Sequence, residues 1–328
     1  KGMSRMESSE ALKMMLNEEA SPAQIGAFLI AHRIRRPEPQ ELAGMIDAYH
    51  ELGPKITSTK NSCRPIFFGM PFDGRNRTAP IYPITTIILL SFGQPVILHS
   101  GQRMPIKYGV TTQELFQAIG LNIKGLNIEK VQEGFDQNGL GIIYQPDHFP
   151  LADKLNIYRE QIGKRPPLAS MELIWSAHKG EHLLVTGYVH PPTEERAYKA
   201  LDIIGEENII AVKGLEGSTD LSVNRACITS QMMAKRIERK IYHPRDHHCG
   251  GKDTEWLDIN TWKHQVLEIF ENKGPLKNSV YWNAGLYLSL CGQAKTIDEG
   301  INKVKESIES GLAYTMLEKL IHWRASIN

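Results

Sequence analysis

Two hydrophobic patterns divide the chain. Over the first sixty residues apolar positions recur at helical spacing. Ser21-Pro22-Ala23-Gln24 supplies an N-cap, a proline at the first helical position and a capping-box glutamine ahead of IGAFLIAHRI. QELAGMIDAYHEL predicts a second helix after Pro37 and Pro39, and Gly53-Pro54 ends it. The polar stretch 57–63 predicts a linker. From Pro65 the pattern changes to short continuous apolar runs at 65–69, 95–99, 141–145, 182–189 and 209–214. Amphipathic stretches with helix start and stop signals follow several of them, from Thr111 to Gly120 and from Thr193 to Gly205. Helices return in the last fifty residues, Ser279 to Gly292 and Thr296 to Gly311. Continuous apolar strands alternating with helices imply a mostly parallel sheet flanked by helices on both faces. The expected fold is therefore α/β with a separate all-α N-terminal domain and a cleft between the two. Ligands in such sheets sit beyond the carboxyl ends of the strands, which makes the loops 69–78, 99–109 and 214–220 the candidate site.

Composition narrows the class. At about 150 residues per domain, 328 residues predict two domains, and 41% hydrophobic residues are enough for a sizeable core. Lys+Arg exceed Asp+Glu by only 38 − 37 = 1, so affinity for a polyanion has to come from local clusters. No apolar run reaches the ~18 residues of a membrane span. The opening KGMSRMESSE has no signal-peptide character, so a cytoplasmic protein is expected. Cys63, Cys227, Cys249 and Cys291 lack any C-x-x-C spacing and read as reduced thiols. Phe28, Leu29, Leu42, Met45, Ile46 and Tyr49 are more apolar surface than sixty residues should hide, which predicts a homodimer through the N-terminal unit.

Five segments in order carry a family likeness. These are SPAQIGAFLIAHRIRRPEPQELAGMIDAY (21–49), YREQIGKR (158–165), VTGYVHPP (185–192), VKGLEG (212–217) and WNAGLYLSLCGQAKTIDEGINKVKESIESGLA (282–313). Together the chain resembles the anthranilate phosphoribosyltransferases, within the larger group that includes class II nucleoside phosphorylases. The resemblance implies a helical domain at 1–60 completed by a segment at about 152–178, and an α/β domain from 61–151 and 179–328. It also implies a homodimer, and a reaction joining anthranilate to phosphoribosyl pyrophosphate with magnesium on the diphosphate.

The family's glycine loop, G-T-G-G-D-G, is here Gly69-Met70-Pro71-Phe72-Asp73-Gly74, which keeps Gly69, Asp73 and Gly74. Its N-I-S-T motif becomes Ala79-Pro80-Ile81-Tyr82. Its K-H-G-N loop becomes Leu98-His99-Ser100-Gly101, with His99, Lys107 and Gly109 retained. Its metal-binding Asp-Glu pair aligns with Thr219-Asp220, leaving Asp220 as the expected magnesium ligand. Arg159 and Arg165 match the family's R-x-x-L-G-x-R arginines, whose guanidinium forks suit a carboxylate or phosphate, unless they close internal salt bridges. Proline and bulky residues where backbone N–H groups should close on a diphosphate imply an altered substrate or a lost activity.

A divergent branch of the family with similar losses includes members that look like nucleic-acid binders. That alternative rests here on three basic clusters: Arg33, Arg35 and Arg36; Lys164 with Arg165; and Lys235, Arg236, Arg239, Lys240 and Arg245. In one groove they would neutralise several phosphates; the bland reading is solvated charge. His243, His247, His248 and Cys249 could suggest a metal site, but lack a second ligand cluster. Trp256 and Trp262 could stack bases, with core packing the bland reading.

Overall fold

The computed structural model describes residues 2–58, 63–233 and 236–327. Among these, nine strands are numbered in chain order: β1 Ile56–Thr57, β2 Ile66–Gly69, β3 Val96–Ser100, β4 Leu140–Tyr144, β5 His178–Lys179, β6 Leu183–Gly187, β7 Ile209–Val212, β8 Cys227–Met233 and β9 Arg236–Tyr242. Seven form the main sheet in the order β4-β3-β2-β6-β7-β8-β9, and β1 pairs with β5 separately. The first five of the seven are parallel and are those announced by apolar runs; β2, β3, β4, β6 and β7 are buried at every position because helices cover both faces. β8 and β9 add an antiparallel hairpin at one edge. The expected linker begins instead as strand, since Thr57 pairs with Lys179; residues 59–62 lie outside the described residues.

The N-terminal domain has three helices, Arg5–Leu16, Pro22–Arg35 and Pro39–Leu52. The first two open with complete capping boxes, Ser4 with Glu7 and Ser21 with Gln24. Gly44 lets the first and third helices touch, for a Cβ there would stand 2.1 Å from the Arg5 carbonyl. The Pro22–Arg35 helix contacts the mid-chain helix Asn156–Ile162, and the Pro39–Leu52 helix lies against Pro191–Ile204 of the α/β part. That last helix starts at two prolines, earlier than its Thr193 signal suggested.

These contacts correct one premise. Leu29, Leu42, Met45, Ile46 and Tyr49 are at most 3% exposed and Phe28 packs against the same core, so the chain hides these residues itself. Exposed apolar side chains in the domain are instead Met6, Met14 and Ile34.

Sheet order reverses between β2 and β6, because β3 and β4 lie on one side of that pair and β7 on the other. In such sheets the crevice at the reversal is where ligands bind. The three loops picked out in the sequence all leave the carboxyl ends of strands around this point.

Candidate functional site

The loops are joined by backbone pairing and buried charge. Arg75 N–H donates to the Val110 carbonyl at 3.2 Å, Val110 N–H returns the bond at 2.8 Å, and Gly109 N–H donates to the Asp73 carbonyl at 3.0 Å. Gly74, at φ 72°, and Gly109 are the glycines this approach requires. A Cβ on Gly74 would lie 2.5 Å from the Val110 carbonyl, and one on Gly109 2.4 Å from Arg75 N. Gly69 is likewise a packing glycine, its absent Cβ leaving room for the Leu173 carbonyl at 2.0 Å. All three glycines retained from the family's loops make room for neighbouring chain.

Arg75, 2% exposed, lies at the centre. Its guanidinium is paired with Asp220, bonds Thr78 and reaches the Ser218 hydroxyl at 3.4 Å. Asp220, the expected magnesium ligand, also accepts from the Ile81 N–H at 2.8 Å. A cation partner thus occupies the carboxylate, and among the described residues no group of three His, Cys, Asp or Glu side chains could hold a metal ion. With its carboxylate paired to Arg75, Asp220 is not free to hold magnesium in this arrangement. This is a correction to the expected role of Asp220. His243, His247, His248 and Cys249 belong to no such group either, and His247 Nδ1 instead lies 2.6 Å from Asp298.

The bulky residues of the altered glycine loop fold inward. Met70 and Phe72 are buried, and the Phe72 ring lies 4.2 Å from that of His99. His99 is itself buried, with Nε2 2.7 Å from the Met70 carbonyl, and does not line the cleft. Arg159 is a second correction: it is 2% exposed and paired with the buried Glu172, the internal salt bridge that was the alternative to ligand binding. Arg165 does reach the cleft, where it contacts Asp73 at 2.5 Å, and Lys107 lies 3.8 Å from the same carboxylate. Lys107 Nζ donates to the carbonyls of Gly74 at 3.2 Å and Glu216 at 3.1 Å. Burial pulls the lysine below its ordinary pKa, with Asp73 opposing.

Two adjoining cavities of about 620 and 930 Å³ share Arg165, Ser170, His190 and Thr193 and together make one groove. The smaller opens at the sheet's reversal point; the larger runs to the N-terminal domain at Arg33, Ile34 and Arg36. Six basic residues line the groove without an ion pair among the described residues: Arg33, Arg36, Arg77, Arg196, Lys213 and Arg225. Asp73 and Glu216 are its acidic lining residues, and both carboxylates are engaged within the protein.

The structure therefore divides the basic clusters named from sequence. Arg33, Arg36 and Arg165 share the groove. Arg35 is turned to the buried Glu41, whose carboxyl, raised by burial, is brought to about 2 by Arg35 and the N–H groups of Glu38 and Met3. Lys164, Arg236, Lys240 and Arg245 line neither cavity, and Arg239 pairs with Glu194 at 2.8 Å. Lys235 lies outside the described residues. Trp262 is a core residue, with Nε1 bonded to the Pro80 carbonyl at 2.8 Å, and Trp256 packs against the core. Sequence reasoning missed Arg77, Arg196, Lys213 and Arg225, which belong to no charge run. The matched segment VTGYVHPP, which leads into the groove-lining His190, Pro191 and Pro192, was the available pointer.

The chain thus sets a helical domain beside a mostly parallel sheet, with the groove at the sheet's reversal point. The model of a glycosyl transferase family's helical bundle domain matches residues 1–53, and that of its a/b domain matches 74–314. The anthranilate phosphoribosyltransferase of Polaromonas sp. strain JS666 is 23% identical over 314 residues, covering 94% of this chain and 89% of that protein. That of Aromatoleum aromaticum is 24% identical over 317 residues, covering 94% and 90%. Among solved structures, the anthranilate phosphoribosyltransferase of Thermus thermophilus superposes with a TM-score of 0.80 at 20% identity, covering 99% of this chain and 97% of that one. The Saccharomyces cerevisiae enzyme in complex with PRPP and Mg gives 0.82 at 15% identity, covering 99% and 94%. This chain belongs to that glycosyl transferase family, the family of the anthranilate phosphoribosyltransferases.

Two buried histidines outside the groove, His99 behind the altered glycine loop and His178 on β5, give the fold a pH signature. Burial pulls His99 down to about 4, and burial with the neighbouring His182 does the same to His178. Between pH 6.5 and 4 the unfolded chain therefore binds protons that the folded chain refuses, so stability rises with pH across that window. The slope is up to about 1.4 kcal/mol per pH unit for each group. We expect the denaturation midpoint to fall as pH drops from 6.5 to 4.5, and to fall less steeply in His99→Gln. A midpoint that stays flat, or an unchanged slope in the variant, contradicts this.

Proposed function

We propose that this chain no longer carries out the anthranilate phosphoribosyltransferase reaction and instead binds a nucleic-acid strand along its groove. The observation that carries the reading is the six groove cations without an ion pair among the described residues, set against two lining carboxylates that are already engaged. Arginines suit phosphodiester oxygens, and cations spaced along a groove suit a repeating polyanion better than one diphosphate. Loss of the transfer reaction is supported by the pairing of Asp220 with Arg75 and by the inward packing of Met70 and Phe72. The reading places the protein in the cytoplasm. It also includes a homodimer, with Met6 and Met14 on the first helix as candidate contacts; light scattering should give twice the chain mass of 37.0 kDa, and a monomer mass removes this part.

One observation favours a second reading, in which a small phosphorylated substrate binds at the sheet's reversal point. Arg165 and Lys107 both reach the smaller cavity there. Salt separates the two readings. Strand binding should weaken linearly on a log–log salt plot, with a slope of about −0.7 per phosphate contacted on a single strand. Arg33→Ala and Arg36→Ala should each lower the slope by about one contact and weaken all base sequences alike. Undetectable binding of a single-stranded oligonucleotide at low salt contradicts the strand reading. Saturable binding of a small phosphorylated sugar, abolished by Arg165→Ala, would favour the second.

A further inference from the structure

The loop after Gly74 turns three successive backbone N–H groups toward one carboxylate. Glu216 Oε2 accepts from Asn76 N–H at 3.2 Å, and Oε1 accepts from Arg77 N–H at 3.1 Å and Thr78 N–H at 3.0 Å. The Thr78 hydroxyl adds a fourth bond to Oε1 at 3.0 Å. Runs of backbone N–H groups of this kind are anion-binding concavities. Here the anion is a side chain of the protein itself, brought in from the loop after β7.

A second, independent feature points to a ligand larger than a carboxylate. Arg75 Nε, on a side chain 2% exposed, lies 3.6 Å from Glu216 Oε1 and has no hydrogen-bond partner among the described residues. A buried guanidinium N–H without a hydrogen bond is costly even beside an ion partner, and such groups call for an explanation. Two carboxylate oxygens thus face three backbone N–H groups, a hydroxyl and a guanidinium N–H. A phosphate offers more acceptor oxygens in a tetrahedral array, enough to engage Arg75 as well. The way in is present, since Arg77 and Glu216 line the smaller cavity.

We propose that residues 75–78 form a phosphate subsite which Glu216 occupies in the free protein, and which an incoming phosphate takes by displacing it. Burial alone would raise the Glu216 carboxyl. Arg75 and the three backbone N–H groups more than offset it, so the group stays charged at neutral pH. The subsite is closed to anions until Glu216 leaves, and removing that carboxylate opens it. Lys107, whose Nζ donates to the Glu216 carbonyl at 3.1 Å, lies beside the subsite. The ligand chemistry is a phosphate oxyanion, either free phosphate or a diester of a bound strand.

The test titrates inorganic phosphate, and separately a single-stranded oligonucleotide, into the full chain, Glu216→Ala and Glu216→Gln by calorimetry at neutral pH. Inorganic phosphate should bind at least tenfold more tightly to Glu216→Ala than to the unmodified chain. Thr78→Val in the Glu216→Ala background should reverse most of that gain. Should Glu216→Ala not fold, Glu216→Gln keeps the side-chain volume without the charge and should show a gain in the same direction. A gain with both ligands, or with only one of them, supports the subsite and identifies its source as free phosphate or diester. Equal affinities across all three proteins for both ligands overturn it. Strong oligonucleotide binding, with neither ligand gaining from the Glu216 variants, overturns the subsite and leaves strand binding intact; a phosphate gain without oligonucleotide binding does the reverse.

Discussion

The cleft depends on one buried guanidinium. Arg75 pairs with Asp220, bonds Thr78 and reaches Ser218, and its backbone forms the short ladder to Val110. It thereby ties all three strand-end loops together. A charge at this depth is tolerated only because a carboxylate and neutral acceptors surround it. Removing the carboxylate partner from such a pair typically costs about 3–5 kcal/mol, since the remaining charge is stranded. Around it the lining carboxylates are engaged as well, Asp73 by Arg165 and Glu216 by the N–H groups of residues 76–78.

The consequence is a separation of paired from unpaired charge. A metal–diphosphate complex needs free carboxylates for the metal and free backbone N–H groups for the phosphates. In this chain Asp220 has a cation, and the N–H groups of residues 76–78 have Glu216. The cations without an ion pair among the described residues line a groove that runs from the sheet's reversal point to the corner at Arg33 and Arg36. A fold shared with phosphoribosyltransferases thus presents a positive track where its relatives' likeness would suggest a pocket, and fold alone does not decide between them.

Much of the architecture could be read in the sequence, because strands covered on both faces must be continuously apolar. PIFFG, PVILH and IIAVKG lie within two residues of β2, β3 and β7. The edge hairpin was missed, since the exposed strand RIERKIY carries charge on both faces and looks like a solvated run. Motif comparison located the three loops and placed Asp73, Lys107 and Arg165 in the cleft, but not the internal partners of Arg159 and Asp220. Gly69, Gly74 and Gly109 survive for close chain approach, and Arg159 survives for Glu172. Arg75 and Glu216 carry the site, yet neither stands out in sequence: one follows the glycine loop by a single residue, and the other lies inside VKGLEG. Their meeting is tertiary, between loops far apart in the chain.

The account is tested most directly by titrating the unmodified chain with phosphoribosyl pyrophosphate in the presence of magnesium, following heat and any product formed with anthranilate. With Asp220 held by Arg75 and the 76–78 N–H groups held by Glu216, we expect neither a magnesium-dependent binding isotherm nor turnover. Magnesium-dependent saturable binding accompanied by transfer to anthranilate would contradict the account at its centre.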